Sequence, residues 1–172
     1  MIQCFQSLLL KNFQRSLMYP ITPTKQGEKV SFKNPNPAFY EALGEDGIRA
    51  LMYDFYDIIY ESDIAHFFPQ DPEEFAKTKE KNTRFFIQLC GGPKAYEEEA
   101  KGVELNEYML RLHDDFSIYE KSRLEWLGAM REALEKVDIA QELKDDFWNY
   151  VEAFSKLTVN TTVDGNKYYT SL

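Results

Sequence analysis

The sequence predicts an all-α fold, and three observations carry that expectation. Apolar residues recur at three- and four-residue spacing over long stretches, and no period-two alternation appears between residues 38 and 158. Several stretches also open on helix-start signals, and one closes on a Gly91-Gly92-Pro93 stop. With 172 residues, 44% of them hydrophobic and 28% charged, the chain is long enough for one domain with a real core. Its aromatic fraction of 15%, with 13 Phe and 11 Tyr, is high, and so many rings need a large apolar partner.

Residues 1–37 are expected to form an N-terminal extension. Pro20, Pro23, Pro35 and Pro37 disfavour continuous helix from Tyr19 to Pro37. Before them, Phe5, Leu8, Leu9, Phe13 and Leu17 fit an amphipathic helix packed on its own domain or on a partner subunit. Ile48, Leu51, Met52, Phe55 and Ile59 predict a helix from Ile48 to Tyr60. The next helix starts at Asp71 as N-cap, with Pro72 at the first helical position and Glu74 completing a capping box, and it runs to Cys90. Residues 94–112 have weak periodicity and read as loop and short helix. Ser117 with Glu120 is a second capping box, opening a helix with Leu124, Trp126, Leu127, Met130, Leu134 and Val137. Asp138 with Gln141 opens the last helix, whose inward face is Leu143, Phe147, Tyr150, Val151, Phe154 and Leu157. Residues 161–172, with Tyr168 and Tyr169, form a tail without a clear place.

Composition narrows the function. A net charge of −9 with no basic patch argues against nucleic acid, which demands clustered Lys and Arg. No stretch approaches the length of a membrane span, and no basic residue precedes the short apolar run Ser7 to Leu10, so neither membrane insertion nor export is expected. Cys4 and Cys90 stand far apart and outside any CxxC pair, which fits a reducing cytoplasm. There is no GxSxG, Walker loop or GxGxxG, and the acidic clusters Glu97-Glu98-Glu99 and Asp145-Asp146 read as solvated surface.

Two features remain. On the second helix Phe75, Thr78, Asn82, Phe85, Phe86 and Leu89 share a face, so two small polar side chains interrupt an apolar stripe. They either bond their own backbone or a water, or point into a ligand cavity. The chain also has only two histidines, His66 and His113. That is too few for an ordinary zinc site with these spacings, whereas a haem needs one axial imidazole because the porphyrin supplies the other four nitrogens.

Several segments in one order resemble the truncated haemoglobins, particularly their second group. They are Asp54-Phe55-Tyr56, Phe67-Phe68-Pro69, Phe85-Phe86-Ile87-Gln88-Leu89-Cys90-Gly91-Gly92-Pro93, Tyr96, and Leu110 to Ile118 around His113. Trp126, thirteen residues after His113, and Leu127 to Ala133 complete the set. The resemblance implies a two-over-two helical sandwich over residues 38–160, flanked by the extension and the tail. It implies haem b (iron protoporphyrin IX) as cofactor and His113 as its iron ligand, the other ring nitrogen being held by a nearby acceptor. Phe68 would pack on the haem, and Tyr56 would donate its phenol proton to a bound diatomic ligand. Thr78, Asn82 and the Trp126 indole fall at the remaining polar positions, and Lys81 at one that pairs with a haem propionate. Phe85, Phe86, Phe116 and Met130, with Phe75, Leu89 and Leu127, are candidates for the apolar walls.

The chain departs from the family pattern beside His113. Leu112 stands where a basic residue is usual, Asp115 replaces a proline, and the stretch from Gly102 to His113 is longer. Asp114 or Asp115 is therefore a candidate acceptor for the imidazole. The implied function is reversible binding of dioxygen, nitric oxide or carbon monoxide in the cytoplasm by a monomer or homodimer. Two alternatives stay open: a haem enzyme of nitric-oxide dioxygenase or peroxidase type, requiring a reductase or peroxide, and a haem-free globin-like protein used for signalling or assembly.

Overall fold

In the computed structural model residues 18–171 are described. Their helices are α1 (Ala38–Tyr60), α2 (Pro72–Leu89), α3 (Glu97–Ala100), α4 (Leu105–His113), α5 (Glu120–Glu135) and α6 (Gln141–Thr158), with a 3-10 turn at Ala65–Phe67 between α1 and α2. There is no strand among the described residues, only isolated bridges between Lys29 and Ser171 and between Thr161 and Lys167. No described helix is long and apolar enough to cross a membrane. The helix expected over Phe5 to Leu17 lies outside the described residues.

Helix α1 starts ten residues earlier than its periodicity indicates. Its first turns are a separate piece joined at Gly44, whose φ of 66° and ψ of −179° break the helical path, a conformation glycine adopts without Cβ strain. That first piece is drawn in by packing, since Phe39 stacks on Phe147 of α6 at 4.6 Å. Helix α2 begins as its sequence indicates: Asp71 Oδ1 accepts from the amides of Glu73 and Glu74, both at 3.0 Å. The Glu74 carboxylate turns to Lys77 instead of closing the box. The helix ends at Leu89, where Gly91 takes φ +96° and packs on Pro37.

The other two capping boxes do not form. Tyr119 and Ala140 hold the N-cap positions without side-chain bonds. Glu120 is instead engaged by Arg123 at 2.9 Å and by the Thr24 amide at 3.3 Å. Gln141 is engaged with the Tyr19 hydroxyl and Asp145. Partners one turn along the same helix, Arg123 and Asp145, and partners across the fold, Thr24 and Tyr19, take these side chains in place of the local cap.

Helix α1 packs on α2 and α5, and α5 on α6, so α1–α2 form one layer and α5–α6 the other. Met52, Phe55 and Ile59 of α1 meet Leu127, Met130 and Leu134 of α5 in a fully buried core, each such side chain being worth roughly 1.5–3 kcal/mol relative to exposure. Helix α4 packs chiefly on α6.

Residues 19–37 wrap the outside of α6. Tyr19 is buried against Trp148, with ring centroids 5.2 Å apart, and Trp148 Nε1 donates to the Pro20 carbonyl at 2.9 Å. The tail meets this segment, for the Val30 amide donates to the Ser171 carbonyl at 2.8 Å.

Candidate functional site

A cavity of about 380 Å³ opens between the two layers and α4, within the usual range of roughly 300–1,000 Å³ for ligand pockets. Helix α1 contributes Tyr56, α2 contributes Thr78, Lys81, Asn82, Phe85 and Phe86, and the turn after α1 contributes Phe67 and Phe68. His113 enters from the end of α4, Phe116 from the loop behind it and Trp126 from α5. Of the side chains the sequence points to, ten therefore line one cavity; Met130 does not, being fully buried in the helix core. Phe75, Leu89 and Leu127 are likewise buried core residues outside the lining. Thr78 and Asn82 interrupt the apolar stripe of α2 where it faces the cavity.

The polar wall centres on Tyr56. Its ring is set edge-on to Phe68 at 5.9 Å and to Phe55 at 4.8 Å, and Phe55 in turn holds the Trp126 ring at 5.1 Å. Burial pushes the Tyr56 phenol well above the ordinary tyrosine range, and a side-chain hydrogen bond with Asn82 only partly offsets that. The phenol therefore keeps its proton at any physiological pH and can donate it.

His113 is oriented by its own helix. Its Nδ1 lies 2.7 Å from the Met109 carbonyl, one turn back. A carbonyl only accepts, so Nδ1 carries the proton, and the neutral ring presents its lone pair at Nε2. Burial lowers the imidazole pKa, opposed by the Met109 bond and by the Asp114 charge. The ring is thus kept in the form that ligates metals. The acceptor is backbone, which corrects the expectation of an Asp114 or Asp115 carboxylate: both aspartates are exposed at the end of α4, while the Met109 carbonyl is at hand without any bend in the chain.

Lys81 lies at the rim with its ammonium 4.0 Å from Glu99. Leu112 and Phe116 are 36% and 41% exposed at the mouth, apolar surface suited to covering by a flat apolar group. Aromatic walls, an imidazole with a presented lone pair and an exposed apolar lip are what a haem requires, so the residues present fit that cofactor.

Part of the site was not anticipated. Tyr150, Val151 and Phe154 of α6, expected as core, line the cavity, and the Tyr150 hydroxyl donates to Asn106 Oδ1 at 2.7 Å. Their spacing marked an inward face but not which inward space it borders. Arg123, buried with its side chain bonded to Ser155, Glu120 and Glu152, also reaches the cavity wall.

Residues 38–160 match the bacterial-like globin family, and the chain belongs to that family. Its relatives lie among the group II truncated haemoglobins. It is 29% identical to the group 2 truncated hemoglobin YjbI of Bacillus subtilis over 124 residues, covering 72% of this chain and 89% of that protein. Among solved structures it superposes on phosphate-bound Hell's gate globin IV with a TM-score of 0.70 and 27% identity, over 77% of this chain and 81% of that one. The truncated oxygen-avid haemoglobin of Bacillus subtilis matches with a TM-score of 0.62 and 28% identity, over 71% of this chain and 98% of the other. The fold is that of a truncated globin, and membership of the globin family implies haem binding.

Proposed function

We propose that the protein binds dioxygen or other diatomic ligands reversibly in this cavity, with haem b as cofactor and His113 as its protein ligand. The observation that carries the reading is the pairing of His113, whose Nδ1 is engaged by the Met109 carbonyl, with the buried Tyr56 and Asn82 in one aromatic cavity. Haem b would supply the iron at which dioxygen, nitric oxide or carbon monoxide coordinates. His113 would hold the group through Nε2, and Phe67, Phe68, Phe85, Phe86 and Phe116 would exclude water from its faces. Tyr56 would donate its phenol proton to the ligand while Asn82 orients the phenol, and Thr78 and Trp126 would extend the polar wall. Such donors favour slow ligand release over rapid delivery. Lys81 at the rim is the candidate for a propionate contact, in competition with Glu99. On this reading residues 38–160 are the haem domain, and residues 1–37 and 161–172 are flanking segments. The relative of the same type from Bacillus subtilis is described as oxygen-avid, which accords with a donor-rich cavity.

The test is the visible spectrum of the ferrous protein with and without carbon monoxide, for wild type and His113→Ala. A Soret band that shifts with carbon monoxide in the wild type and is lost or strongly altered in the variant is the expected result. No Soret band after reconstitution, or a variant spectrum equal to wild type, refutes the proposal. Tyr56→Phe is expected to speed dioxygen release roughly tenfold or more, the factor for one hydrogen bond of about 1.5 kcal/mol.

A further inference from the structure

The chain does not leave the domain after α6. It turns back beside α4 through a tight turn, in which the Thr162 amide donates to the Asn166 carbonyl and the Gly165 amide to the Thr162 carbonyl, both at 2.8 Å. Asn160 and Thr161, at the root of this tail, are only 4% and 3% exposed. Burying a carboxamide is costly unless its groups are bonded, and three of the five bonds of the Asn160 carboxamide go to one stretch of chain. Its Nδ2 donates to the Phe116 carbonyl at 3.0 Å and, more weakly, to the His113 carbonyl at 3.4 Å. Its Oδ1 accepts from the Ile118 amide at 3.0 Å, and also from Thr161 Oγ1 at 2.8 Å and Lys167 Nζ at 3.2 Å. Lys167 Nζ adds a second bond to the Phe116 carbonyl at 2.8 Å. The backbone joins in, the Asn160 and Thr161 amides both donating to the Ile118 carbonyl.

These bonds end on residues 113, 116 and 118, the segment that closes α4 and leads to α5. The last carbonyls of a helix have no partner within it; of those of α4 the tail reaches the His113 carbonyl, at 3.4 Å, and its stronger bonds fix the loop directly behind it at Phe116 and Ile118. Packing does not do the same work. A second cavity of about 220 Å³ lies on this side, bordered by His113, Asp114, Thr158, Asn160, Tyr169 and Thr170. With open space next to His113, the end of α4 is placed by hydrogen bonds more than by close packing.

We propose that Asn160, braced by the C-terminal tail through Lys167, is the positioning residue for His113: its carboxamide sets where the end of α4 lies and so where Nε2 stands in the main cavity. The inference rests on the reading of His113 as the haem ligand. Removing the Nδ2 bonds lets the end of α4 relax toward the second cavity and spreads the imidazole over several positions.

The test uses the full chain carrying Asn160→Leu, which removes both functions of the carboxamide, and the isosteric Asn160→Asp, which keeps the acceptor and loses the donor. Trp148→Phe serves as control, cutting the Pro20 bond on the outside of α6 at residues that border neither cavity. In ferrous haem-loaded protein the iron–histidine stretching band, read by resonance Raman, is expected to shift or split in Asn160→Leu, and to do so less in Asn160→Asp. It should keep its wild-type position in Trp148→Phe even where the melting temperature falls. In haem-free protein the peptide spanning residues 113–118 is expected to exchange its amide hydrogens about tenfold faster in Asn160→Leu, the factor for loss of one ordinary hydrogen bond. A wild-type band in both Asn160 variants, or unchanged exchange over residues 113–118, overturns the proposal. A protein that takes up no haem refutes the function proposed above, and the exchange measurement then decides this inference alone.

Discussion

Replacing Arg123 by methionine gives the most direct measure of how the flanking segments are held. The guanidinium is fully buried, its side chain 0% exposed, and it donates five hydrogen bonds. Nε reaches Ser155 Oγ at 2.9 Å, Nη1 reaches the Thr22 carbonyl at 3.0 Å and Glu120 Oε1 at 2.9 Å, and Nη2 reaches the Glu152 carbonyl at 3.0 Å and Glu152 Oε1 at 2.8 Å. Glu152 Oε1 also accepts from both the amide and the hydroxyl of Thr22 at 2.9 Å. Methionine keeps the volume but leaves Glu152, only 15% exposed, without its counter-charge. Breaking a buried pair from one side costs about 3–5 kcal/mol. For a chain of this length each kcal/mol moves the melting temperature by roughly 2–4 °C, so Arg123→Met is expected to melt roughly 6–20 °C lower. Urea denaturation followed by far-ultraviolet circular dichroism measures the free energy. Adding Glu152→Gln should recover part of the loss, because the stranded charge is then gone. A loss below about 1 kcal/mol, the range of an exposed pair, would falsify the reasoning that this charge is buried and fully committed.

Three further outcomes follow from local geometry. Asp71→Ala removes the acceptor for the Glu73 and Glu74 amides and should cost about 1 kcal/mol in chemical denaturation, with Asp71→Ser restoring most of it. Gly91→Ala combines φ +96° with a Cβ 2.9 Å from the Pro37 Cβ; a destabilisation of about 1–3 kcal/mol is expected, and an unchanged midpoint would show that the turn can relax. Burial raises the phenols of Tyr56, Tyr96 and Tyr150 above the ordinary value of 10.0. The native state then holds these protons more tightly than the unfolded chain, so stability is unaffected by them below pH about 10 and falls as pH rises beyond it. Near-ultraviolet titration should show a fraction of the tyrosines ionising only as the protein unfolds; all of them titrating before unfolding would contradict the burial.

Legibility in the sequence followed the range of the interaction. Asp71, Pro72 and Gly91 announce the ends of α2 because their partners lie within four residues; helical spacing puts Thr78 and Asn82 on one inward face, and the resemblance to the truncated haemoglobins is what groups Tyr56 with them. The capping boxes at Ser117 and Asp138 misled for the opposite reason. Glu120 and Gln141 have partners across the molecule, in the Thr24 amide and the Tyr19 hydroxyl, that local pattern cannot reveal. The acceptor for His113 was sought among aspartates because side chains carry names. The Met109 carbonyl that takes the role has no signature, since every residue brings one. Asn160 was equally silent: a lone asparagine after a helix looks like solvent-facing chain until the loop it pins is seen.

The meeting of the two flanking segments at Val30 and Ser171 affects how the molecule can breathe. Ser171 bonds to Glu28 and Val30, Glu28 pairs with the buried Lys156 at 2.9 Å, and the same segment hangs on Arg123 through Thr22. Neither of these two described segments, residues 19–37 and 160–171, can peel away without loosening the other, so both, with α5 and α6, should open as one unit near the global unfolding energy. Helix α4 is tied into this ring as well, Asn106 bonding Asn34 of the N-terminal segment and Tyr150 of α6 while Asn160 holds the loop at its end, whereas α3, between polar loops, is bonded to neither described flanking segment. Transient openings then concentrate on α3 and the loops on either side of it, with the rest of the frame intact.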